Sequence, residues 1–234
     1  QATQATQATQ ATQGAQGPLI FHAVSSEVVK ALVNSGANPN EKKQDGLTPL
    51  HLAQSVELMT AFLESGADPN AANEDGNTPL HMARSPDLIT KLLEFRADPN
   101  ISNKNGFTPL QTPETARAPE LMIALLEGGA NPNVATKAGD TPLHLCGSLD
   151  VMVSLLEHEG NPNAKNKDGL TPLQTVSSDE LKLELLADVD KRIRTNPNVS
   201  DRKGNTPLHL AESAQLMAAL IRAGADANAT NKEG

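Results

Sequence analysis

Apolar positions recur along the chain in a pattern that predicts pairs of short helices. Between Glu57 and Leu63, the apolar side chains Leu58, Phe62 and Leu63 fall at i, i+4 and i+5, which places one apolar stripe on a helix. A Thr-Pro-Leu sequence precedes this stretch and favours a helix start, because the threonine oxygen can accept a free backbone N–H. Glycine and Asp-Pro-Asn follow, which indicates that the helix ends there.

The same block is repeated at nearly constant spacing. Thr-Pro-Leu begins at residues 48, 78, 108, 141, 171 and 206, so the spacings are 30, 30, 33, 30 and 35. One block alone would leave half of its apolar stripe in water, so consecutive blocks have to stack. The pattern predicts a degenerate first unit at 17–40 and six further units at 41–70, 71–100, 101–133, 134–163, 164–198 and 199–234. The Gln/Ala/Thr-rich segment 1–16 has little apolar bulk, and we expect a flexible lead or linker there.

Irregular spacings predict where the helices depart from a regular repeat. Where the spacing is 30, the missing residues fall between the two helices, so we expect a shortened first helix. Pro113 stands where the first helix of 101–133 would continue, and it should cut that helix short or distort it. The longer unit 164–198 has its additional residues in 179–193, which indicates an extended second helix.

These residues resemble those of the ankyrin-repeat family, whose signature is T-P-L-H-x-A with a period of about 33 residues. The resemblance covers residues 17–234. It implies an all-α ankyrin-repeat solenoid of stacked helix-turn-helix units with β-hairpin finger loops, and a general role in protein recognition. The matching segments are Thr48–Ala53, Thr78–Ala83, Thr141–Cys146 and Thr206–Ala211.

The loops between Pro-Asn and Thr-Pro-Leu are called fingers below, and their residues are the candidates for partner recognition. The fingers are 41–47, 71–77, 101–107, 134–140, 164–170, 199–205 and 229–234. The candidate partner-binding residues, at finger tips and first-helix ends, are Gln44, Asp45, Leu47, Glu74, Asp75, Asn77, Lys104, Asn105, Phe107, Lys137, Asp140, Lys167, Asp168, Leu170, Arg202, Lys203 and Asn205.

Large apolar residues follow the finger glycine in alternate fingers, as Leu47, Phe107 and Leu170. Two interpretations are open for them. They can contact a partner, because exposed apolar side chains mark interaction sites, or they can pack on the neighbouring finger.

Composition and charge exclude several classes of partner. Net charge is −9 and aromatic residues make up 2%, so neither phosphate-backbone binding nor base stacking is expected. No apolar run approaches the roughly 20 residues that span a bilayer, and no membrane partner is expected. The fingers hold nine basic and eight acidic residues, which leaves the helical body acidic. Two interpretations of this uneven charge are open. The charges can simply form a solvated outer face, or the basic later fingers can steer a partner of mixed or acidic charge.

The polar residues of the repeats give no argument for an enzyme, a cofactor or a metal. His51, His81, His144 and His209 occupy one repeat slot that glutamine also fills, which favours a structural hydrogen bond. Cys146 fills a slot that is alanine in other units and is expected to be an inert core thiol. No nucleotide-binding, zinc-protease or serine-hydrolase motif occurs.

The sequence therefore predicts a non-catalytic protein–protein interaction module that binds through its fingers and concave first helices. The alternative is a substrate-recruiting domain of a larger enzyme such as a secreted bacterial effector or toxin, since the Gln-rich lead and the lack of a starting Met fit an excised piece. A second copy, bound through an uncapped C-terminal face, is a further candidate partner. We expect an intracellular location, in cytoplasm or nucleus, or delivery into a host cell for an effector.

Overall fold

The computed structural model describes residues 18–112, 115, 118–187 and 194–234. All regular elements in these ranges are helices, and no strand occurs among them. Contacts divide the chain into two compact units, one that ends at Asp98 and one that begins at Pro99. Each unit is a stack of paired short helices, as the repeat pattern predicts.

The first helix of each pair is only about one turn long, and in the six Thr-Pro-Leu repeats it begins at the proline. Proline suits this position because it has no N–H to leave unpaired and its φ is already helical. The shortened first helix predicted from the spacing of 30 is confirmed. The first helices are Leu19–His22, Pro49–Leu52, Pro79–Met82, Pro109–Gln111, Pro142–Leu145, Pro172–Thr175 and Pro207–Leu210.

The second helix of each pair has eight or nine residues, and a serine often caps its start. Ser55 accepts a hydrogen bond from the N–H of Leu58, and the same contact recurs at Ser85, Ser178 and Ser213. The second helices are Ser26–Asn34, Val56–Glu64, Pro86–Glu94, Pro119–Glu127, Leu149–Glu157, Asp179–Leu186 and Ala214–Arg222.

A left-handed residue follows most of the second helices. Gly66 takes this conformation at φ +88, as the sequence pattern predicts. Arg96 and Glu159 occupy the same place with φ of 64 and 67, and they are the non-glycine residues with positive φ among those described. The structure therefore confirms that the repeat alignment places an arginine and a glutamate where other units use glycine.

The core of each unit is aliphatic and runs along the stack. In the first unit, Leu50 and Leu80 of the first helices and Met59 and Leu92 of the second helices are almost fully buried. The second helices Ser26–Asn34, Val56–Glu64 and Pro86–Glu94 pack in succession. Burying each large side chain contributes about 1.5–3 kcal/mol. Most of these buried side chains are aliphatic, and Phe62 of the first unit is a buried aromatic one.

The second unit is built in the same way. Leu110, Leu143 and Leu173 of its first helices are buried, as are Leu125 and Leu155 of its second helices. Its second helices contact one another in chain order, from Pro119–Glu127 through Leu149–Glu157 and Asp179–Leu186 to Ala214–Arg222.

Two sequence-based expectations concern the second unit. The extended second helix predicted over 179–193 is wrong as far as the description reaches, because the helix ends at Leu186 and Ala187 has extended backbone. Residues 188–193 and Pro113, with its predicted distortion, lie outside the described residues.

None of the helices in the described ranges is both long and apolar enough to cross a membrane.

Candidate protein-binding surface

The six fingers from 41–47 to 199–205 are each a single tight hairpin turn. In 71–77, the N–H of Asn73 donates to the carbonyl of Asn77, and the N–H of Gly76 donates back to the carbonyl of Asn73, both at 3.0 Å. This arrangement is a three-residue hairpin that requires positive φ at its last loop residue, and Gly76 has φ +80. The hairpin finger loops implied by the resemblance therefore form as turns rather than as a sheet.

One polar side chain at the third finger position braces most of these turns. The Oδ1 atom of Asn73 accepts hydrogen bonds from the N–H groups of Asp75 and Asn77, at 3.0 and 2.8 Å. The same pair of contacts recurs at Asn103, Thr136, Asn166 and Asp201. The first finger carries Lys43 in this position, and its Nζ lies 5.0 Å from the ring centre of Phe21.

Neighbouring fingers are joined backbone to backbone. The N–H of Glu74 donates to the carbonyl of Asp45, and the N–H of Lys167 donates to the carbonyl of Ala138, both at 3.0 Å. The finger glycine makes this approach possible, because a Cβ added to Gly139 would lie 2.8 Å from the N atom of Lys167. The fingers of a unit are thus held side by side.

Histidines of two Thr-Pro-Leu-His segments, His51 and His144, tie their own helix to the next finger. The Nδ1 atom of His51 lies 3.1 Å from the backbone N of Thr48, and its Nε2 lies 3.0 Å from the carbonyl oxygen of Asn77. A backbone N–H can only donate, so Nδ1 is the acceptor and the ring is the neutral Nε2–H tautomer. His144 makes the equivalent contacts to Thr141 and Leu170. The structural role expected for this slot is confirmed.

Burial also keeps these rings neutral. Desolvation lowers the pKa of both His51 and His144 below the ordinary 6.5, and this effect outweighs the hydrogen bonds to Asn77 and Leu170 that act the other way.

Glutamine connects its own helix to the next finger in another repeat. The Oε1 of Gln174 accepts the N–H of Thr171, and its Nε2 donates to the carbonyl of Asn205, both at 3.0 Å.

A ladder of asparagines joins the closing Asp/Asn-Pro-Asn loops. The Oδ1 of Asn133 accepts the N–H of Asn161 at 2.7 Å, and its Nδ2 donates to the carbonyl of Glu159 at 3.0 Å. The sequence analysis missed this role. The available signal was that the third loop residue is always asparagine, whereas the first is either Asn or Asp. The ladder consists of Asn40, Asn70, Asn100, Asn133, Asn163 and Asn198.

The predicted partner-binding residues fall into an exposed group and a half-buried group. The half-buried group follows the finger glycine: Leu47, Asn77, Phe107, Asp140, Leu170 and Asn205. The exposed group forms the turn itself: Gln44, Asp45, Glu74, Asp75, Lys104, Asn105, Lys137, Lys167, Asp168, Arg202 and Lys203.

Polar residues of the half-buried group connect neighbouring fingers. Asp140 Oδ1 accepts a hydrogen bond from Asn166 Nδ2, and Asn205 Oδ1 accepts one from Asn231 Nδ2, both at 2.8 Å. These two residues therefore have a place in the stack. For the apolar members of the group, partner contact and packing both remain predictions, as does partner binding by the exposed group.

Charge on the fingers differs between the two units. The fingers before Asp98 carry two basic and four acidic side chains, whereas those after it carry seven basic and four acidic ones. The fingers of the second unit are therefore basic on balance, and those of the first unit are acidic.

Cys146 and the acidic side chains form no convergent chemical site in the described ranges. Cys146 is buried, its Sγ–H donates to the carbonyl of Ser148 at 3.1 Å, and burial raises the pKa of its thiol. This is the environment of an unreactive thiol. No group of three or more His, Cys, Asp or Glu side chains with metal-binding geometry occurs in the part of the chain that the structure describes.

Comparison with known proteins agrees with this architecture. The family model for ankyrin repeats matches three stretches, 19–86, 83–166 and 145–231. Among solved structures, the ankyrin repeat domain of Bcl-3, a member of the IkappaB protein family, matches with a TM-score of 0.71 and 26% identity. That match covers 84% of this chain and 91% of the Bcl-3 chain. No curated protein matches this sequence. The chain belongs to the ankyrin-repeat family, whose repeats mediate protein–protein interaction.

Proposed function

We propose that the chain is a non-catalytic module that binds a partner protein through its finger tips and the exposed ends of its first helices. The observation that carries this proposal is that different groups of a finger have different roles. Backbone groups and half-buried side chains such as Asp140 hold the stack together, whereas the turn side chains such as Lys167 and Arg202 are exposed. A row of fixed turns that presents exposed, varied side chains suits recognition of another protein.

The proposal is tested by comparing the proteins that the wild type and two matched variants of this chain capture. The tip variant combines Lys167→Ser, Arg202→Ser and Lys203→Ser, which change exposed residues of two fingers. The control variant combines Glu127→Ser, Glu157→Ser and Glu180→Ser, which change exposed residues of the second helices.

Immobilised wild-type protein is incubated with a cell lysate, and the captured proteins are identified by mass spectrometry. We expect the control variant to capture the same proteins as the wild type and the tip variant to lose them. Equal capture by both variants would contradict binding through the fingers.

Self-association is a second candidate because apolar side chains are exposed in the last repeat. Leu210, Met217 and Ile221 are all exposed there. Light scattering at several protein concentrations is the measurement, and a mass that rises with concentration is the expected result. A monomer at every concentration would contradict it.

Two further predictions concern the setting of the chain. The sequence of the whole gene tests whether this chain recruits substrates for a larger enzyme. A catalytic domain encoded beside this segment is the supporting result. The intracellular location is tested by fractionation of the source cells with an antibody against this chain.

A further inference from the structure

A pair of exposed leucines lies where the first helix of 134–163 gives way to the second. Leu145 ends the first helix and is 50% exposed, and Leu149 begins the second helix and is 37% exposed. The residues that match Leu145 in the first unit, Leu52 and Met82, are half-buried. Large apolar side chains exposed side by side mark interaction sites, because water contact with them is unfavourable.

Gly147 lies between these leucines, and nothing among the residues that the structure describes requires a glycine there. Its φ is not positive, and a Cβ added to it would have no atom within 4 Å. Other repeats carry larger residues at this position, namely Gln54, Arg84, Ser177 and Glu212. The glycine therefore leaves open the surface between Leu145 and Leu149, and these three residues are called the leucine patch below.

A shallow depression borders the leucine patch. Its lining includes Leu110 and Met122 of the preceding repeat and Val151 of the same repeat, and its volume is about 30 Å³. That is small beside the roughly 300–1,000 Å³ of a ligand pocket, so a partner side chain cannot insert deeply. The exposed faces of Leu145 and Leu149 must then supply most of the apolar contact.

The bases of two fingers adjoin the depression on one side. Gln111, which lines it, donates from Nε2 to the carbonyl of Val134 at the base of one finger. His144, next to Leu145, holds the following finger through Leu170. The fingers 101–107, 134–140 and 164–170 carry four lysines and two aspartates.

The acidic side chains near the patch leave this basic character in place. Asp140 accepts a hydrogen bond from Asn166, and Lys137 and Lys165 donate to the backbone carbonyls of neighbouring fingers. These neutral partners leave the charges in place, so four lysines and two aspartates give the three fingers a balance of +2. Asp150 lies exposed beside Leu149, on the second helix rather than on a finger. Carboxylates of a partner are therefore favoured at the finger side of the patch and disfavoured at the helix side.

We propose that the leucine patch binds a segment of a partner protein that carries a large apolar side chain with acidic residues beside it. This inference rests on the proposed protein-binding function and specifies the partner. The apolar side chain packs on Leu145 and Leu149, and the acidic residues face Lys137 and Lys167.

The test uses peptides selected from a random phage-displayed library on the whole wild-type chain. Selected peptides are synthesised and their binding is measured by fluorescence anisotropy. The main variant is Gly147→Gln, which introduces the residue that Gln54 supplies in another repeat and has room for its Cβ. The control is Ser177→Gln, at the same slot of a different repeat, and Leu145→Thr copies Thr175 as an independent variant.

We expect the selected peptides to combine Leu, Ile, Met or Phe with Asp or Glu. Their Kd should rise about tenfold or more in both variants, because Gly147→Gln covers the surface between the leucines and Leu145→Thr removes apolar contact at the centre of a small interface. It should be unchanged in Ser177→Gln, and melting temperature should be unchanged in both glutamine variants.

Selection of basic or wholly polar peptides, an empty selection, or undiminished binding to Gly147→Gln would each overturn the inference. The proposed function is judged separately, by whether captured proteins depend on the finger tips. Capture that is lost in the tip variant but retained in Gly147→Gln would leave the function standing and remove the leucine patch.

Discussion

The Nε2 atom of His144 lies 3.0 Å from the carbonyl oxygen of Leu170, a residue of the next finger. The Nδ1 atom of the same ring accepts the N–H of Thr141 at 3.1 Å. One buried side chain thus connects the start of its own helix with the neighbouring repeat. Stability of the stack and placement of the fingers depend on the same contact.

Glutamine should replace His144 at little cost, whereas leucine should not. Gln174 already makes both contacts in its own repeat, so His144→Gln should change the free energy of unfolding by less than about 1 kcal/mol. His144→Leu should cost about 2–3 kcal/mol, because the Thr141 N–H and the Leu170 carbonyl lose a buried partner. Urea unfolding of both variants is the measurement. An equal loss in the two would show that the hydrogen bonds are not the cause.

Stability should fall as the pH falls below the ordinary histidine pKa. Burial lowers the pKa of His51 and His144 below 6.5, so the unfolded chain takes up protons that the folded chain does not. The unfolded state then binds more protons, and the free energy of unfolding decreases with falling pH. The contribution of these two neutral histidines to the free energy of unfolding is fully present above pH 6.5 and is lost as the pH falls below it.

The matched variant for this prediction is His51→Gln with His144→Gln. Urea unfolding of the wild type between about pH 7.5 and pH 5 should show a steeper loss than the double variant, since the remaining carboxylates are common to both. Identical slopes would contradict a role for these two rings.

Asn133 should matter more than its neighbour Asn131. The Asn133 side chain makes two hydrogen bonds to the next closing loop, whereas Asn131 Oδ1 accepts only the N–H of Asn133 in its own loop. We expect Asn133→Ala to lower the free energy of unfolding by about 1–2 kcal/mol and Asn131→Ala by roughly half of that. Thermal and urea unfolding measure the difference. A larger loss for Asn131→Ala would argue against the ladder.

Replacement of Arg96 by glycine should stabilise the protein or leave it unchanged. Arg96 has φ of 64, a conformation that costs a non-glycine residue about 1 kcal/mol, and glycine's greater unfolded-state entropy offsets part of the gain. Glu159→Gly, at φ of 67, is the matched variant in the other unit. Urea unfolding decides the sign, and a clear loss of stability in both variants would show that their side chains contribute more than the strain costs.

Local rules predicted much of this fold from the sequence. Threonine and proline marked the start of six first helices, and the repeat alignment placed Arg96 and Glu159 at the left-handed position. These features depend on a few neighbouring residues, so their chemistry is visible in the sequence. The residues that contact a partner carry no such local mark, and they stay a prediction.

Features that depend on stacking were not predictable in the same way. The asparagine ladder needs two closing loops in register, and only the folded stack brings Asn133 to Asn161. Exposure of Leu145 depends on what the neighbouring repeat leaves uncovered. The second helix of 164–198 ends at Leu186 although apolar residues recur beyond it, because a periodic pattern alone does not fix where a helix ends.

Binding through the finger tips is the central claim, and affinity for a captured partner tests it most directly. Isothermal titration compares the wild type with the tip variant (Lys167→Ser, Arg202→Ser and Lys203→Ser) and with His144→Gln, which alters a buried contact. We predict a Kd raised about tenfold or more in the tip variant and unchanged in His144→Gln, with similar melting temperatures. An unchanged Kd in the tip variant would contradict the claim.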